Sequence, residues 1–162
     1  MRGEKAADLK QKQAIFMASD HAGFRLKRLL RAKLASWGYE VKDFGAESDR
    51  PSDYPDFIIP CAEAVSRSRG RASGIVIGGS GNGECMAANK VRGVRAALCY
   101  DLWTARKSRE HNDANVLCLG ARTPSGKLKA AETIVKAWLS TCYRGEPRHK
   151  RRVGKITKYE SK

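Results

Sequence analysis

This chain has no apolar run approaching the roughly 18 residues a membrane-spanning helix requires, and Met1 to Lys12 lacks the apolar core of a signal peptide. Neither insertion nor export is therefore expected, and a cytoplasmic setting is. The five cysteines (Cys61, Cys85, Cys99, Cys118, Cys142) are odd in number and contain no CxxC pair. Cys99 and Cys118 lie inside apolar, strand-like runs, which fits buried reduced thiols rather than disulfides or zinc ligands. Acidic residues are also scarce, 17 against 32 Lys and Arg, leaving a formal charge of +15. That excess points to anionic partners: nucleic acid, acidic surfaces or phosphorylated metabolites. From Arg144 onward, eight Lys/Arg face only Glu146 and Glu160, so about +6 of the charge lies in the tail. No RNP-like aromatic pattern, zinc finger or helix-turn-helix signature accompanies it. Nucleic acid is thus not expected as the main partner, and diffuse basicity fits a solvated surface.

With 162 residues, 41% hydrophobic and 30% charged, the chain suits one soluble domain with a sizeable core. Its most informative stretch is Gly74-Ile75-Val76-Ile77-Gly78-Gly79-Ser80-Gly81-Asn82-Gly83-Glu84. An apolar, β-branched run enters a turn dense in glycine, and a helix-like segment, Glu84 to Lys90, follows. Such a loop lets backbone N–H groups converge on an anion at a helix N-terminus, although a tight strand-to-helix turn would use the same residues. A dinucleotide fingerprint would need glycine at position 84, and a P-loop would need Gly-Lys-Ser/Thr; neither is present. A first-turn carboxylate such as Glu84 is often a dipole partner. Beside an anion cradle it would repel phosphate, so it better suits a base facing an uncharged part of a substrate.

Taken in order, Met1 to Gln13 reads as a flexible extension. Ala14 to Ala18 is a first strand, and Phe24 to Trp37 an amphipathic helix with Arg25, Lys27, Arg28, Arg31 and Lys33 toward solvent, closed by Gly38. Tyr39 to Phe44 is a second strand, and a polar loop ends in Asp53-Tyr54-Pro55. The next helix runs to about Arg69, with Pro60 expected to begin or kink it. Gly74 to Gly78, Val94 to Cys99 and Val116 to Leu119 are further strands. Asp101 can cap a helix over 102–110, His111 to Asn115 reads as a polar turn, and helices run from about Thr123 to Cys142 and from Arg148 to Tyr159. The alternation predicts an α/β, Rossmann-like fold: a five-stranded parallel sheet with helices on both faces. The expected organisation is an extension over 1–13, the α/β domain over 14–145 and a basic helical arm over 146–162.

In such sheets ligands sit beyond the carboxyl ends of the strands. Asp20-His21, the glycine loop, Tyr100-Asp101 and Arg122 all fall there. His111-Asn112 precedes a strand, so it belongs to another edge or to a neighbouring subunit's site. Asp20 suits catalysis or helix capping. His111, as a histidine, suits proton transfer or turn stabilisation. Arg122, Arg148, His149 and Arg152 suit an anion clamp or a solvated basic face.

The order of these pieces resembles the RpiB/LacAB family of sugar-phosphate isomerases. The matching segments are Ser19-Asp20-His21-Ala22-Gly23-Phe24 with Leu26-Lys27, Asp53-Tyr54-Pro55, Gly79-Ser80-Gly81-Asn82-Gly83-Glu84, Ala87-Ala88-Asn89-Lys90, Gly93-Val94-Arg95-Ala96, Arg109 to Leu117, Gly120-Ala121-Arg122 and Arg148-His149. They span about Ala14 to Ile156. The resemblance implies a dimer, or a pair of dimers, with no metal or organic cofactor and with the C-terminal helix reaching the partner. It implies aldose–ketose isomerisation of ribose 5-phosphate and ribulose 5-phosphate through an enediolate. The family has two branches, one with a cysteine base at the position of Gly78; this chain follows the other, with Glu84 as base. Ser80 and the amides of Gly79, Gly81, Asn82 and Gly83 would then form the anion hole. Asp20 and His111 would open the sugar ring, His111 from the partner. Tyr54 and Asn112 would hold the sugar, and His21, Arg122, Arg148, His149 and Arg152 the phosphate. Galactose 6-phosphate, allose 6-phosphate or a tetrose phosphate would be served by the same chemistry.

Overall fold

The computed structural model describes residues 13–162; the expected N-terminal extension, Gln13 apart, lies outside the described residues. Five strands form one parallel sheet in the order β2-β1-β3-β5-β4, with β1 Ala14–Ser19, β2 Val41–Asp43, β3 Ala72–Gly78, β4 Ala96–Leu98 and β5 Val116–Gly120. The helices are α1 Phe24–Ser36, α2 Pro55–Arg67, α3 Asn82–Ala88, α4 Leu102–Asn112, α5 Leu128–Ser140 and α6 Pro147–Glu160. Among the described residues no helix is long and apolar enough to cross a membrane.

The sheet is buried on both faces because its central strands are apolar at nearly every position, Ser19 and Ser73 apart, and their period of two divides them between two cores. Ile15, Met17, Ile75, Ile77, Leu117 and Leu119 pack against Leu26, Leu30 and Leu34 of α1, Ala105 of α4 and Ile134, Val135 and Trp138 of α5. The intervening Ala18, Val76, Val116 and Cys118 pack against Ile58, Cys61, Ala62 and Val65 of α2 and Ala87 and Ala88 of α3. Trp138, the largest buried side chain, satisfies its indole N–H by donating to Ser108 Oγ at 3.1 Å. Neighbouring strands β1 and β3 send their helices to opposite faces. Their C-terminal loops therefore diverge and leave a crevice between them.

Two expectations are corrected. Pro60 does not begin a helix, the first of the two roles expected of it: α2 starts at Pro55 and carries Pro60 inside. The carbonyl that loses its donor is that of Asp56, and both residues are exposed, so solvent can satisfy it. Lys27 does not face solvent. It is 1% exposed, and its ammonium donates to Asp43 Oδ1 at 2.5 Å and to the Ala46 carbonyl at 2.7 Å. The Asp43 carboxylate also accepts from the Gly45 N–H at 2.9 Å. A buried cation that donates two of its three hydrogens thus ties α1 to the end of β2 and to the start of the loop that leads to Tyr54.

Removing Lys27 leaves the Asp43 carboxylate with only Arg31, 3.5 Å away and half exposed. Lys27→Met is expected to destabilise the fold by about 3 kcal/mol, the scale for breaking a buried ion pair from one side. Urea unfolding measures it; a midpoint like that of the unmodified chain would remove Lys27 from this role.

Candidate active site

The crevice is built on the loop after β3. Gly78 ends the strand, and a Cβ there would fall 1.9–2.1 Å from the Glu84 carboxyl atoms. The carboxylate therefore lies directly across the Gly78 backbone, where no side chain at 78 leaves it room. Gly81 adopts φ +82°, and a Cβ on it would meet Leu98 Cδ1 at 2.7 Å and the Leu119 carbonyl at 2.8 Å; glycine satisfies both conditions. The loop is laced to the end of β5 by Ala121 N–H donating to the Gly78 carbonyl (2.8 Å) and Arg122 N–H to that of Gly79 (2.9 Å).

Helix α3 starts immediately after this turn, and helix starts leave amides without partners. Among the described residues no acceptor faces the N–H groups of Gly79, Ser80, Gly81 or Gly83. The Ser80 hydroxyl accepts from Asn82 N–H at 3.2 Å and keeps its own proton to donate. Glu84 is 3% exposed. Burial pushes its pKa up, its own backbone N–H partly offsets this, and the Asp20 charge raises it further. A carboxylate so placed accepts a proton more readily than one in water.

Asp20 and His21 reach the same crevice from the end of β1. Asp20 is buried and accepts from the Gly23 N–H at 3.0 Å through Oδ1, while Oδ2 lies 3.8 Å from His21 Nδ1. Capping and a second, separate task are thus compatible. His21 Nδ1 lies 3.2 Å from the Ser52 backbone nitrogen and 3.3 Å from the Ser52 carbonyl oxygen, so the Ser52 backbone fixes the ring in either tautomer. Tyr54 lies over the loop, its Cζ 2.7 Å from where a Gly83 Cβ would be, and Arg122 Cδ lies 3.6 Å from the same point on Gly79. Asp20, His21, Tyr54, the glycine loop, Glu84 and Arg122 therefore form one cluster.

The other expected residues form a second cluster elsewhere. His111 and Asn112 occupy the last turn of α4 rather than a turn after it, and Asp113 in left-handed conformation (φ 49°) ends the helix. Arg95 holds this end, donating from Nε to the Asp113 carbonyl at 2.9 Å and pairing with its carboxylate at 2.9 Å. Asn115 accepts from Arg95 N–H at 2.8 Å and donates to Gly93. Arg109 stacks on Trp138 and donates to Ala114 and Thr141 carbonyls. His149 stacks on His111, ring centroids 4.0 Å apart and planes 10° from parallel.

His149, expected in the phosphate clamp or on a solvated basic face, does not lie on a solvated face: it is 5% exposed, with Nε2 sealed from solvent, and it supports the His111 ring. Burial and the His111 charge hold its pKa below the ordinary histidine value. Arg148 and Arg152 remain exposed.

The two clusters lie at opposite ends of the sheet. Val116, just after the α4 end, pairs with Gly74, four residues before Gly78. At about 3.3 Å per residue that is roughly 13 Å of strand between the two levels. One chain therefore does not bring His111 to Glu84.

The ribose/galactose isomerase family matches residues 15–156. A probable ribose-5-phosphate isomerase B of Mycoplasma genitalium is 43% identical over 149 residues, 90% of this chain and 95% of that protein. The structure of a Clostridium thermocellum ribose-5-phosphate isomerase B superposes with a TM-score of 0.87 at 48% identity, covering 91% of this chain and 97% of the other. A crystal structure of the M. genitalium ribose-5-phosphate isomerase B with bound ribulose 5-phosphate gives 0.85 at 41%, covering 92% and 97%. The chain belongs to the ribose/galactose isomerase family.

Within that family the resemblance implies a cysteine at 78 or a glutamate at 84, and here the two would compete for one volume. Cys85 is not a substitute. Its Sγ approaches the Ala96 carbonyl at 3.5 Å, toward β4, although contact with Cys118 lowers its pKa to about 7. Among the described residues no group of three His, Cys, Asp or Glu could hold a metal ion. Ser52, Arg95, Asn115 and Arg109, which orient His21 and the α4 end, escaped the sequence reading. Arg95, Arg109 and Asn115 were signalled only by membership of the motifs around them, and Ser52 only by its place just before Asp53-Tyr54-Pro55.

The raised pKa of Glu84 means the folded chain binds that proton more tightly than the unfolded chain. Its ionisation then costs stability as pH rises above the ordinary carboxylate value near 4.5. Glu84→Gln should raise the melting temperature at pH 7, with the gain vanishing in acid. A lower melting temperature at pH 7 would show that the carboxylate is not strained by burial.

Proposed function

We propose that this chain interconverts ribose 5-phosphate and ribulose 5-phosphate, using sites completed by a second copy of itself. The observation that carries the proposal is the dry Glu84 carboxylate, held across Gly78 beside unpaired amide donors. Such a group suits removal of a carbon-bound proton next to a carbonyl.

The sugar first opens. Asp20 and His111 of the second copy deprotonate the anomeric hydroxyl and protonate the ring oxygen between them. Glu84 then takes the C2 proton of the aldose, and electron density moves to the C1 carbonyl oxygen. The enediolate charge is met by the amides of Gly79 to Gly83 and the Ser80 hydroxyl; such donors are worth about 10²–10³ each in rate because they are preorganised. Glu84 then returns its proton to C1 while the O2 proton passes to O1, which yields the ketose with no net gain or loss of atoms or electrons. Tyr54 and Asn112 hold the sugar hydroxyls. His21, Arg122, Arg148 and Arg152 hold the phosphate, away from Glu84, which would repel it.

A homodimer supplies what one chain separates. The second copy would bring its α4 end and its α6, so that His111, Asn112, Arg148 and Arg152 face the partner's crevice. Exposed Met86, Trp103 and Tyr100, each about two-thirds accessible, suit surfaces that a second copy covers.

Glu84→Gln and His111→Ala should each lower turnover at least ~10²-fold. Mixing the two inactive chains after dissociation should restore about a quarter of the unmodified activity, because half the dimers then carry one intact site. No recovery would overturn the shared site, and unchanged turnover in Glu84→Gln would overturn the base.

A further inference from the structure

The isomerisation proposal uses two cations of α6 and leaves the rest of this helix unexplained. Its orientation is fixed by three inward residues: His149 is buried, Val153 is half-buried, and Glu160 accepts from the Gly93 N–H at 3.1 Å. At 100° per residue, the face opposite these three carries Arg151, Lys155 and Lys158, at i, i+4 and i+7, and Lys162 continues the row just beyond the helix end. All four are exposed, and among the described residues none lies within ion-pair distance of a carboxylate. The only acids of this segment are engaged elsewhere: Glu146 with Arg148 and His149, Glu160 with Gly93.

The stripe spans about 16 Å at 1.5 Å per residue. Favourable interaction with the helix dipole accounts for cations in the last turn, Lys158 and Lys162, and not for Arg151. Tyr159 flanks the row, 74% exposed, with Lys162 Nζ 5.6 Å from its ring centre. A cationic row with an exposed aromatic beside it matches a strand of nucleic acid: phosphates along the row, a base on the ring. A membrane surface fits less well, since no apolar residue lies on the stripe: Val153 is half-buried on the inner face, and the exposed Ile156 and Tyr159 lie to one side of the row.

We propose that the outer face of α6 is a binding surface for single-stranded nucleic acid, contacted through the phosphate backbone by Arg151, Lys155, Lys158 and Lys162. This contact is independent of the isomerisation chemistry, because none of the four belongs to the proposed substrate site.

The test is fluorescence anisotropy of a labelled single-stranded oligouridylate with the full chain, over a range of salt. Replacing all four stripe residues by Gln should weaken binding at least ~10-fold and reduce the slope of log affinity against log salt by roughly 2.8, at about 0.7 per phosphate contact. Isomerase activity should be unchanged. A control variant with Arg69, Lys90, Arg92 and Lys129 replaced by Gln removes the same charge from other exposed positions and should bind nearly as well as the unmodified chain. Equal losses in both variants would reduce the effect to diffuse charge and overturn the proposal. So would absence of binding at low salt, or capture by phosphatidylserine vesicles in preference to the oligonucleotide.

Discussion

A carboxylate kept out of water is the constraint on which this structure turns. Glu84 is almost fully buried, and the space its carboxyl group occupies is the space a side chain at 78 would take. Ionising such a group costs free energy that the fold must supply. The surroundings supply it in part. The glycine loop ends in unpaired amides, α3 begins beside them, and β3 lies at the centre of a sheet covered on both faces. The same burial that makes Glu84 costly makes it basic, and a basic carboxylate next to an anion cradle is what proton transfer at a carbon centre calls for.

The second constraint is geometric. A parallel sheet places the ends of β1, β3 and β5 on one rim and the end of α4 on the other. The crevice therefore gathers Asp20, His21, Glu84 and Arg122, while the opposite rim gathers His111, Asn112 and the start of α6. Each rim is held by buried or stacked cations: Lys27 behind the loop leading to Tyr54, Arg95 and Arg109 behind His111. These residues touch no candidate reacting group, yet they set where those groups point. In the proposed dimer a site completed by the second copy would be sensitive to association, since losing the partner would remove half the chemistry.

Much of this was legible in the sequence. Alternating apolar runs and amphipathic segments gave the strand and helix order, and the glycine loop gave the crevice. Asp101 was readable as a cap because it precedes the helix directly, and it does accept from Thr104 N–H at 2.7 Å. Lys27 was misread because helical periodicity placed it beside other cations, and only the tertiary position of Asp43 and Ala46 draws it inward. That Pro60 does not start a helix was not readable, because its local cost depends on whether the orphaned carbonyl can reach solvent, which periodicity does not report. The stacking of His149 on His111 was not visible beside Arg148 and Arg152 in the sequence, because it depends on the packing of α6 against α4. Local chemistry was visible from spacing; contacts between distant segments were not.

The central claim is that Glu84 and its cradle serve ribose 5-phosphate. Its most direct measurement is the rate of isomerisation of ribose 5-phosphate beside that of galactose 6-phosphate and allose 6-phosphate, on protein dialysed against chelator. The account predicts ready formation of ribulose 5-phosphate, faster than either hexose phosphate is converted. Conversion of a hexose phosphate with none of ribose 5-phosphate would contradict the substrate assignment, and inertness toward all three would contradict the isomerase reading itself.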